Sequence, residues 1–206
     1  MNYFGHAAVA SWSAATVAGK TLGAMLPDFA SMCRVRLDDP ADATVAEGVA
    51  LHHATDAAFH DLAPVTALMS ELDERLERLG CAKGPRRAVA HIGIELMLDG
   101  VLVDDDTYRA TYLDGLAHDG GGVRWRAPEG PAHFAILMDR LRGHGVPDDL
   151  RRTDAITMRL QRILGHRPLL APSPSDLQAI ATALAAQRPR VEVATDTVLR
   201  ALRAAL

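Results

Sequence analysis

Apolar and polar positions along this chain recur with the spacing of amphipathic α-helices. Residues 62–79 are the clearest case, because their apolar and charged residues alternate at helical intervals. Residues 103–116 continue the pattern as helix or turn. The pattern predicts helices over residues 7–26, 42–60, 62–79, 85–102, 132–142, 148–164 and 175–206, the last stretch holding one helix or two.

Residues that start and stop helices mark several of these boundaries. Asp42 and Thr44 are residue types that favour the N-cap of the second helix, and Gly80 fits the C-cap of the third. Pro27 predicts the end of the first helix, because proline disrupts a helix interior. Pro85 fits the first turn of the fourth helix.

Glycine and proline are concentrated between residues 115 and 131, which predicts a loop or a lid. A break before the last helix offers an N-cap at Ser173 or Ser175. The chain shows no internal repeat and no low-complexity segment. Together these elements predict one all-α domain over residues 1–206, built as a helical bundle.

The composition agrees with a helical core and excludes several classes of function. Of all residues 49% are hydrophobic but only 4% are aromatic, which favours helices over a β-sandwich. The formal charge of −4 gives no overall attraction to nucleic acid. No run of apolar residues is long enough to predict a membrane span, so we expect no membrane partner.

Two features bear on the compartment. The apolar N-terminal stretch has no positive region before it, so we expect mature protein rather than a signal peptide. Cys33 and Cys81 lie far apart and form no CxxC pattern, which argues against a disulfide framework or a zinc ribbon. These features predict a reducing, cytoplasmic location.

Histidine and carboxylate residues recur four positions apart on two predicted helices. His52 and Asp56 form one such pair, and His91, Glu95 and Asp99 continue the spacing on the other helix. Residues four apart lie on one helix face, about 6 Å from each other, so each pair can reach one cation. Imidazole and carboxylate together suit Mn²⁺, Fe²⁺ or Zn²⁺, and Mg²⁺ less well.

An ordinary solvated helix face is the alternative explanation, because such pairs also arise by chance. Glu95 and Asp99, however, stand in an apolar run. Two carboxylates one turn apart would repel each other in a core unless a cation lay between them. This repulsion favours a metal site over the solvated face.

Five stretches, taken in order, resemble the acyl carrier protein phosphodiesterase family, an all-α group related to HD-domain phosphohydrolases. "MNYFGHAAVA" is similar to the family's opening, M-N-[FYW]-L-A-H-L-x-L-A, and "GAMLPDF" to its G-N-L-L-x-D-F. "VAEGVALHHATD" resembles V-x-x-G-x-x-L-H-R-x-I-D. "VAHIGIELMLDGVL" resembles its helix with acids four apart, and "RILGHRPLL" a late R-x-x-R-R-P-x-L stretch. The resemblance spans positions 1–105 well and the remainder thinly.

The resemblance implies an HD-domain-like fold and a metal-dependent phosphodiester hydrolase. Its reaction would remove 4′-phosphopantetheine from a serine of acyl carrier protein, which takes part in fatty acid biosynthesis. Another phosphopantetheinylated carrier protein could be the substrate instead. Glu95 or His91 would orient water or protonate the leaving group. The cation, with Mn²⁺ expected first, would be held by the implied ligands His6, Asp28, His52, Asp56 and Asp99.

The chain also departs from the family pattern around these residues. The family has aspartate where Glu95 stands, and histidine after the aspartate where Gly100 stands. Its arginine after the helix histidine is His53 here, and its asparagine in the second motif is Ala24. The implied ligands are better preserved than the residues around them, which supports a metal site and leaves the substrate open.

An acidic carrier protein would need a basic docking surface. Arg152, Arg159 and Arg162 lie near one face of a predicted helix and are candidates for it, although solvated arginines are the simpler interpretation. Two other functions stay open. One is a non-catalytic helical binding module that retains the scaffold with a structural metal or none. The other is a metal-dependent enzyme that acts on something other than phosphate.

Overall fold

The computed structural model describes residues 1–13 and 17–206 and confirms the all-α class for them. A short 3-10 helix, Asp148–Arg151, precedes α8, and the β contact in this part of the chain is one isolated bridge between Leu37 and Trp125. The helices are α1 (Tyr3–Ala10), α2 (Ala18–Cys33), α3 (Ala43–Asp61), α4 (Ala63–Arg78), α5 (Lys83–Leu102), α6 (Asp106–Ala117), α7 (Gly130–His144), α8 (Thr153–Leu164) and α9 (Pro174–Ala205).

The chain divides into two compact units, each built from two separate stretches. The first unit comprises residues 1–57 and 102–147, and the second comprises residues 58–101 and 148–206. This division does not test the prediction of a single domain over residues 1–206, which stays a prediction. Helices α3 and α5 contribute residues to both units.

In the first unit, α1, α2 and α6 pack against one another. Every residue of α1 is buried, which is the behaviour of a helix that is apolar on all sides. Aromatic rings join the three helices: Tyr3 lies 5.7 Å from Phe29 and Phe4 lies 5.2 Å from Tyr112, between ring centroids. This packing carries His6, on α1, into the core.

In the second unit, α4 and α8 pack on the long helix α9. Leu72 and Leu76 of α4 and Ile180 and Leu184 of α9 are fully buried. The last helix is one helix rather than two, and Ser173 is its N-cap in a capping box with Asp176.

The single helix predicted over residues 7–26 is wrong, because α1 ends at Ala10 and a separate helix, α2, runs from Ala18 to Cys33. Residues 11–13 form a turn, where the Ser11 hydroxyl donates to the Ala8 carbonyl at 2.6 Å, and residues 14–16 lie outside the described part. The next helix passes through Pro27 instead of ending before it. Leu26 and Phe29 beside that proline are fully buried, so tertiary packing offsets a proline penalty of about 3 kcal/mol.

Most other predicted boundaries hold within a few residues, but the α-helix predicted from residue 148 begins at Thr153, after the 3-10 helix. The Asp42 side chain accepts from the backbone N–H of Thr44 and Val45 and so caps α3, as expected. Gly80 has a left-handed φ of 78° just after α4, which confirms it as the helix stop. Residues 103–116 resolve into α6, which Asp105 caps.

The loop predicted over residues 115–131 is shorter, because α6 continues to Ala117 and α7 begins at Gly130. Hydrogen bonds join its backbone to residues 36–41 of the same unit. The N–H groups of Asp38, Ala41 and Arg126 bond the carbonyls of Arg124, Gly122 and Arg36 at 2.9, 2.7 and 3.0 Å. The loop is therefore anchored along its length, and a lid function stays a prediction.

Two further findings concern the expected compartment. Among the described helices, none is both long and apolar enough to cross a bilayer. Cys33 and Cys81 are both free thiols rather than halves of a disulfide, as their separation predicted.

Candidate metal centre

Helices α2 and α3 approach each other closely within the first unit because glycines meet at the contact. A Cβ atom on Gly23 would lie 2.1 Å from the Val45 carbonyl oxygen, and one on Gly48 would lie 2.7 Å from the Gly23 Cα. Any side chain at either position would separate the helices. The contact brings the Ala24 carbonyl oxygen to 2.8 Å from Nδ1 of His52.

His6, His52 and Asp56, here called the His6 cluster, converge in this unit. The two imidazole rings are stacked with centroids 3.8 Å apart. Nε2 of His6 lies 3.2 Å from Oδ1 of Asp56, and Nε2 of His52 lies 3.4 Å from Oδ2. One donor atom from each residue lies within 4.8 Å of the others, so all three can reach one ion.

His52 is held in one orientation by its carbonyl partner. Because a carbonyl oxygen only accepts, Nδ1 of His52 carries a hydrogen and donates it to Ala24, so Nε2 is the atom that faces Asp56. Burial lowers the pKa of His52, but the hydrogen bond to Asp56 and the charge of Asp28 outweigh it, so the net pKa is raised. The surroundings of Nε2 therefore favour positive charge, whether a proton or a metal cation.

His6 is a neutral imidazole held in the core. It is 1% exposed, and burial lowers its pKa to about 4, while the charge of His52 adds to the lowering. Its Nε2 lies 3.1 Å from the Met1 carbonyl oxygen. Its buried Nδ1 has no hydrogen-bond partner among the described residues, and such an orphan costs about 1–3 kcal/mol. A neutral imidazole is the form that binds a metal ion, and Nε2 is the atom of His6 that faces Asp56.

Asp56 is the anionic centre of the cluster. Burial raises the pKa of its carboxyl group, but hydrogen bonds from His52 and His6 hold the pKa far below its ordinary value. The amino group of Met1 also donates to its Oδ1 at 2.9 Å. Asp56 is therefore ionised at neutral pH, and it has a cationic partner within the chain as well as two imidazoles.

Asp28 and Asp99 complete the predicted ligand set, and the structure places them differently. Asp28 is half-buried on α2, and its charge acts on His52 in the same unit. Asp99 is fully buried on α5 and belongs to the second unit. Its convergence with the His6 cluster stays a prediction.

Glu95 and His91, the predicted proton-transfer residues, also lie in the second unit. Nε2 of His91 is 3.2 Å from Oε1 of Glu95, one turn along α5. Burial raises the pKa of Glu95, but the hydrogen bond from His91 outweighs it and keeps the pKa below its ordinary value. The structure adds His60, whose Nε2 lies 3.6 Å from the same oxygen. Local spacing could not assign this third residue, because His60 belongs to another helix.

Gly100, which stands where the family has histidine, is fixed by close packing. A Cβ atom there would lie 2.1 Å from the Leu150 carbonyl oxygen and 2.8 Å from Nη1 of Arg188. The Gly100 carbonyl oxygen accepts from Arg188 at 3.0 Å. No side chain fits this backbone contact, so the fold requires glycine at this position.

The donor spacing of the His6 cluster fits a divalent transition-metal ion. Ligands about 2.1 Å from a tetrahedral ion stand about 3.4 Å apart, close to the 3.2 and 3.4 Å separations from Asp56. Two imidazoles with carboxylate suit Mn²⁺, Fe²⁺ or Zn²⁺.

Two of the three arginines predicted to dock a partner already form ion pairs within the chain. Arg152 pairs with Asp154 at 3.1 Å, and Arg159 pairs with Asp149 at 3.0 Å. Arg162 is exposed on α8. Arg152 and Arg159 would each have to break an ion pair within the chain before pairing with an acidic residue of a partner. This exchange reduces the binding free energy that docking could provide.

Comparisons with protein-family models, curated proteins and solved structures found no match to this chain. The resemblance to acyl carrier protein phosphodiesterases therefore rests on the residues and their order alone.

Proposed function

We propose that this chain is a metal-dependent phosphodiester hydrolase with its metal centre at the His6 cluster. The convergence of two buried imidazoles and one partly exposed carboxylate at metal-ligand spacing carries the proposal. Asp28 would add a further carboxylate, and Asp99 is the remaining ligand that the resemblance implies. Mn²⁺ is the expected ion, with Fe²⁺, Zn²⁺ and Mg²⁺ as alternatives.

The protein's own groups would prepare this site before an ion binds. Ala24 orients His52 through Nδ1, which is the outer hydrogen bond that metal-binding histidines usually make. Burial keeps His6 unprotonated near neutral pH, so no proton has to leave it. A divalent cation there would supply Lewis-acid activation of water and neutralise charge on a phosphoryl group.

The substrate follows from the resemblance rather than from the site. It implies 4′-phosphopantetheine removal from a carrier-protein serine, or a related phosphoester reaction, in an HD-domain-like scaffold. A cytoplasmic setting is part of the same proposal and accords with two free cysteines. Docking of an acidic carrier at Arg152, Arg159 and Arg162 stays a prediction, as do the proton-transfer roles of Glu95 and His91.

A non-catalytic binding module is the second candidate, and one observation favours it. The Met1 amino group already gives Asp56 a cationic partner at 2.9 Å. With His6 and His52, this contact forms an ion-pair network that needs no metal for charge balance. In that case the cluster would stabilise the fold and hydrolyse nothing.

Hydrolysis of bis-p-nitrophenyl phosphate in added Mn²⁺ separates the two candidates. The wild type should turn over, and Asp56→Asn should lower kcat/KM by about 100-fold or more, because it weakens a ligand. Glu47→Gln removes a charge from an exposed position of the same helix and should leave the activity unchanged. Bound metal without turnover would indicate a structural site, and neither metal nor turnover would favour the ion-pair network.

A further inference from the structure

We propose that His60, His91 and Glu95, here called the Glu95 cluster, form a second binding site for a divalent transition-metal ion. The site lies within the second unit and would bind its ion whether or not the His6 cluster binds one. Glu95 and His91 would then be ligands rather than proton-transfer groups, and His60 gains a role that the sequence did not assign.

The geometry brings three donor atoms from two helices to one point. His91 and Glu95 stand one turn apart on α5, and His60 comes from the end of α3. Both Nε2 atoms approach the same Oε1 atom of Glu95, at 3.2 Å for His91 and 3.6 Å for His60. The donor atoms all lie within 4.8 Å of one another.

These separations are compatible with shared coordination of one ion. A tetrahedral ion with ligands about 2.1 Å away holds them about 3.4 Å apart, between the two observed separations. The cluster therefore has nearly the spacing that an ion requires, and small side-chain shifts would complete it.

The two imidazole rings support the same conclusion. They stack with centroids 4.5 Å apart and an interplanar angle of 20°. The stack keeps one donor nitrogen of each ring within 4.8 Å of the other. Glu95 is only 11% exposed, so its carboxylate gains from a cation that replaces lost hydration.

Solvent can reach the cluster from one side. His91 is 50% exposed and lines a surface cavity of about 370 Å³, together with Ser70, Asp73 and Arg87 of the same unit. An ion can reach His91 by this route. Two imidazoles and one carboxylate point to Zn²⁺, Mn²⁺ or Fe²⁺ rather than Ca²⁺.

Metal titration of four proteins tests this proposal, with Zn²⁺ for stoichiometry and Co²⁺ for its absorption spectrum. The proteins are the wild type, Asp56→Asn, His91→Ala and the double variant, each stripped by chelator and checked by circular dichroism. His91 is half exposed, so its removal should leave the fold intact. We expect His91→Ala to lose about one equivalent in either background, with affinity at that site lowered about 10-fold or more.

The matched control is His166→Ala, which removes an exposed histidine from the same unit and should retain all bound metal. Glu95→Gln should reproduce the loss, since an amide is a weaker ligand of nearly the same shape. Equal metal content in Asp56→Asn and the double variant would overturn the proposal. If the His6 cluster binds no ion, the wild type binds one equivalent and His91→Ala none, so the two proposals fail separately.

Discussion

Single residues in the His6 cluster derive their properties from their neighbours more than from their own type. His6 and His52 are both buried histidines, yet the pKa of His6 falls to about 4 while that of His52 rises. The difference arises because burial dominates at His6, whereas Asp56 and Asp28 favour a charged His52. One histidine is thus ready to coordinate, and the other must exchange a proton for a metal ion.

A second residue with a strongly perturbed pKa lies at the start of α9. Asp176 accepts from Ser173 N–H at 2.9 Å and from the Ala82 N–H, just before α5, at 2.8 Å. Burial raises its pKa, but these hydrogen bonds outweigh it and hold the pKa at about 2. The carboxylate therefore ties the beginnings of two helices together within the second unit.

We predict that Asp176→Asn lowers the free energy of unfolding by about 1–2 kcal/mol at pH 7. The folded pKa lies below the unfolded value, so the stabilisation is complete above about pH 4 and is lost as the pH falls towards 2. Urea unfolding of both proteins across this range measures the difference. The difference in unfolding free energy between the wild type and Asp176→Asn should shrink towards zero at pH 2.

The control for this prediction is Asp196→Asn, an exposed position on the same helix. It should change stability by less than about 0.5 kcal/mol at every pH. A difference between wild type and Asp176→Asn that stays constant from pH 7 to pH 2 would show that the charge of Asp176 contributes nothing.

At the scale of elements, the close contact of α2 with α3 positions the metal centre. Gly23 and Gly48 remove the side chains that would hold these helices apart, and the Ala24 carbonyl oxygen then reaches His52. The packing of backbone against backbone therefore orients a ligand. This link was invisible in the sequence, since nothing local tells a contact glycine from any other glycine in a helix.

We predict that Gly48→Ala lowers the free energy of unfolding by about 1–3 kcal/mol, because its Cβ would lie 2.1 Å from the Lys20 carbonyl oxygen. Metal affinity should fall with it, as His52 loses its orienting partner. Gly143→Ala is the matched control, since no described atom lies within 4 Å of its Cβ position. That variant should gain about 0.5 kcal/mol in urea unfolding. Equal effects at both sites would refute the close-contact explanation.

The sequence predicted the helices better than their ends. Periodicity placed α3, α4 and α5 within a few residues, because caps such as Asp42 and Gly80 act locally. It failed at Pro27, where the general penalty for proline predicts an end and the buried neighbours Leu26 and Phe29 override it. That compensation depends on tertiary packing, which residue spacing cannot reveal.

At the scale of the whole molecule, each of the two units contains its own histidine–carboxylate cluster. The pairs His52–Asp56 and His91–Glu95 were predictable, because helix geometry fixes residues four apart. His6 was expected only through the family resemblance, and the approach of His60 to Glu95 was not expected. Both come from other helices than the pairs they join, so their contacts depend on how the chain folds.

The most direct test of the central claim is the Mn²⁺ content of the wild type, His52→Ala and His53→Ala after metal loading and desalting. His52 is 5% exposed and belongs to the His6 cluster, whereas its neighbour His53 is exposed. We predict that His52→Ala retains about one equivalent less than the wild type, while His53→Ala retains the same amount. Equal metal content in all three folded proteins would contradict a metal centre at the His6 cluster.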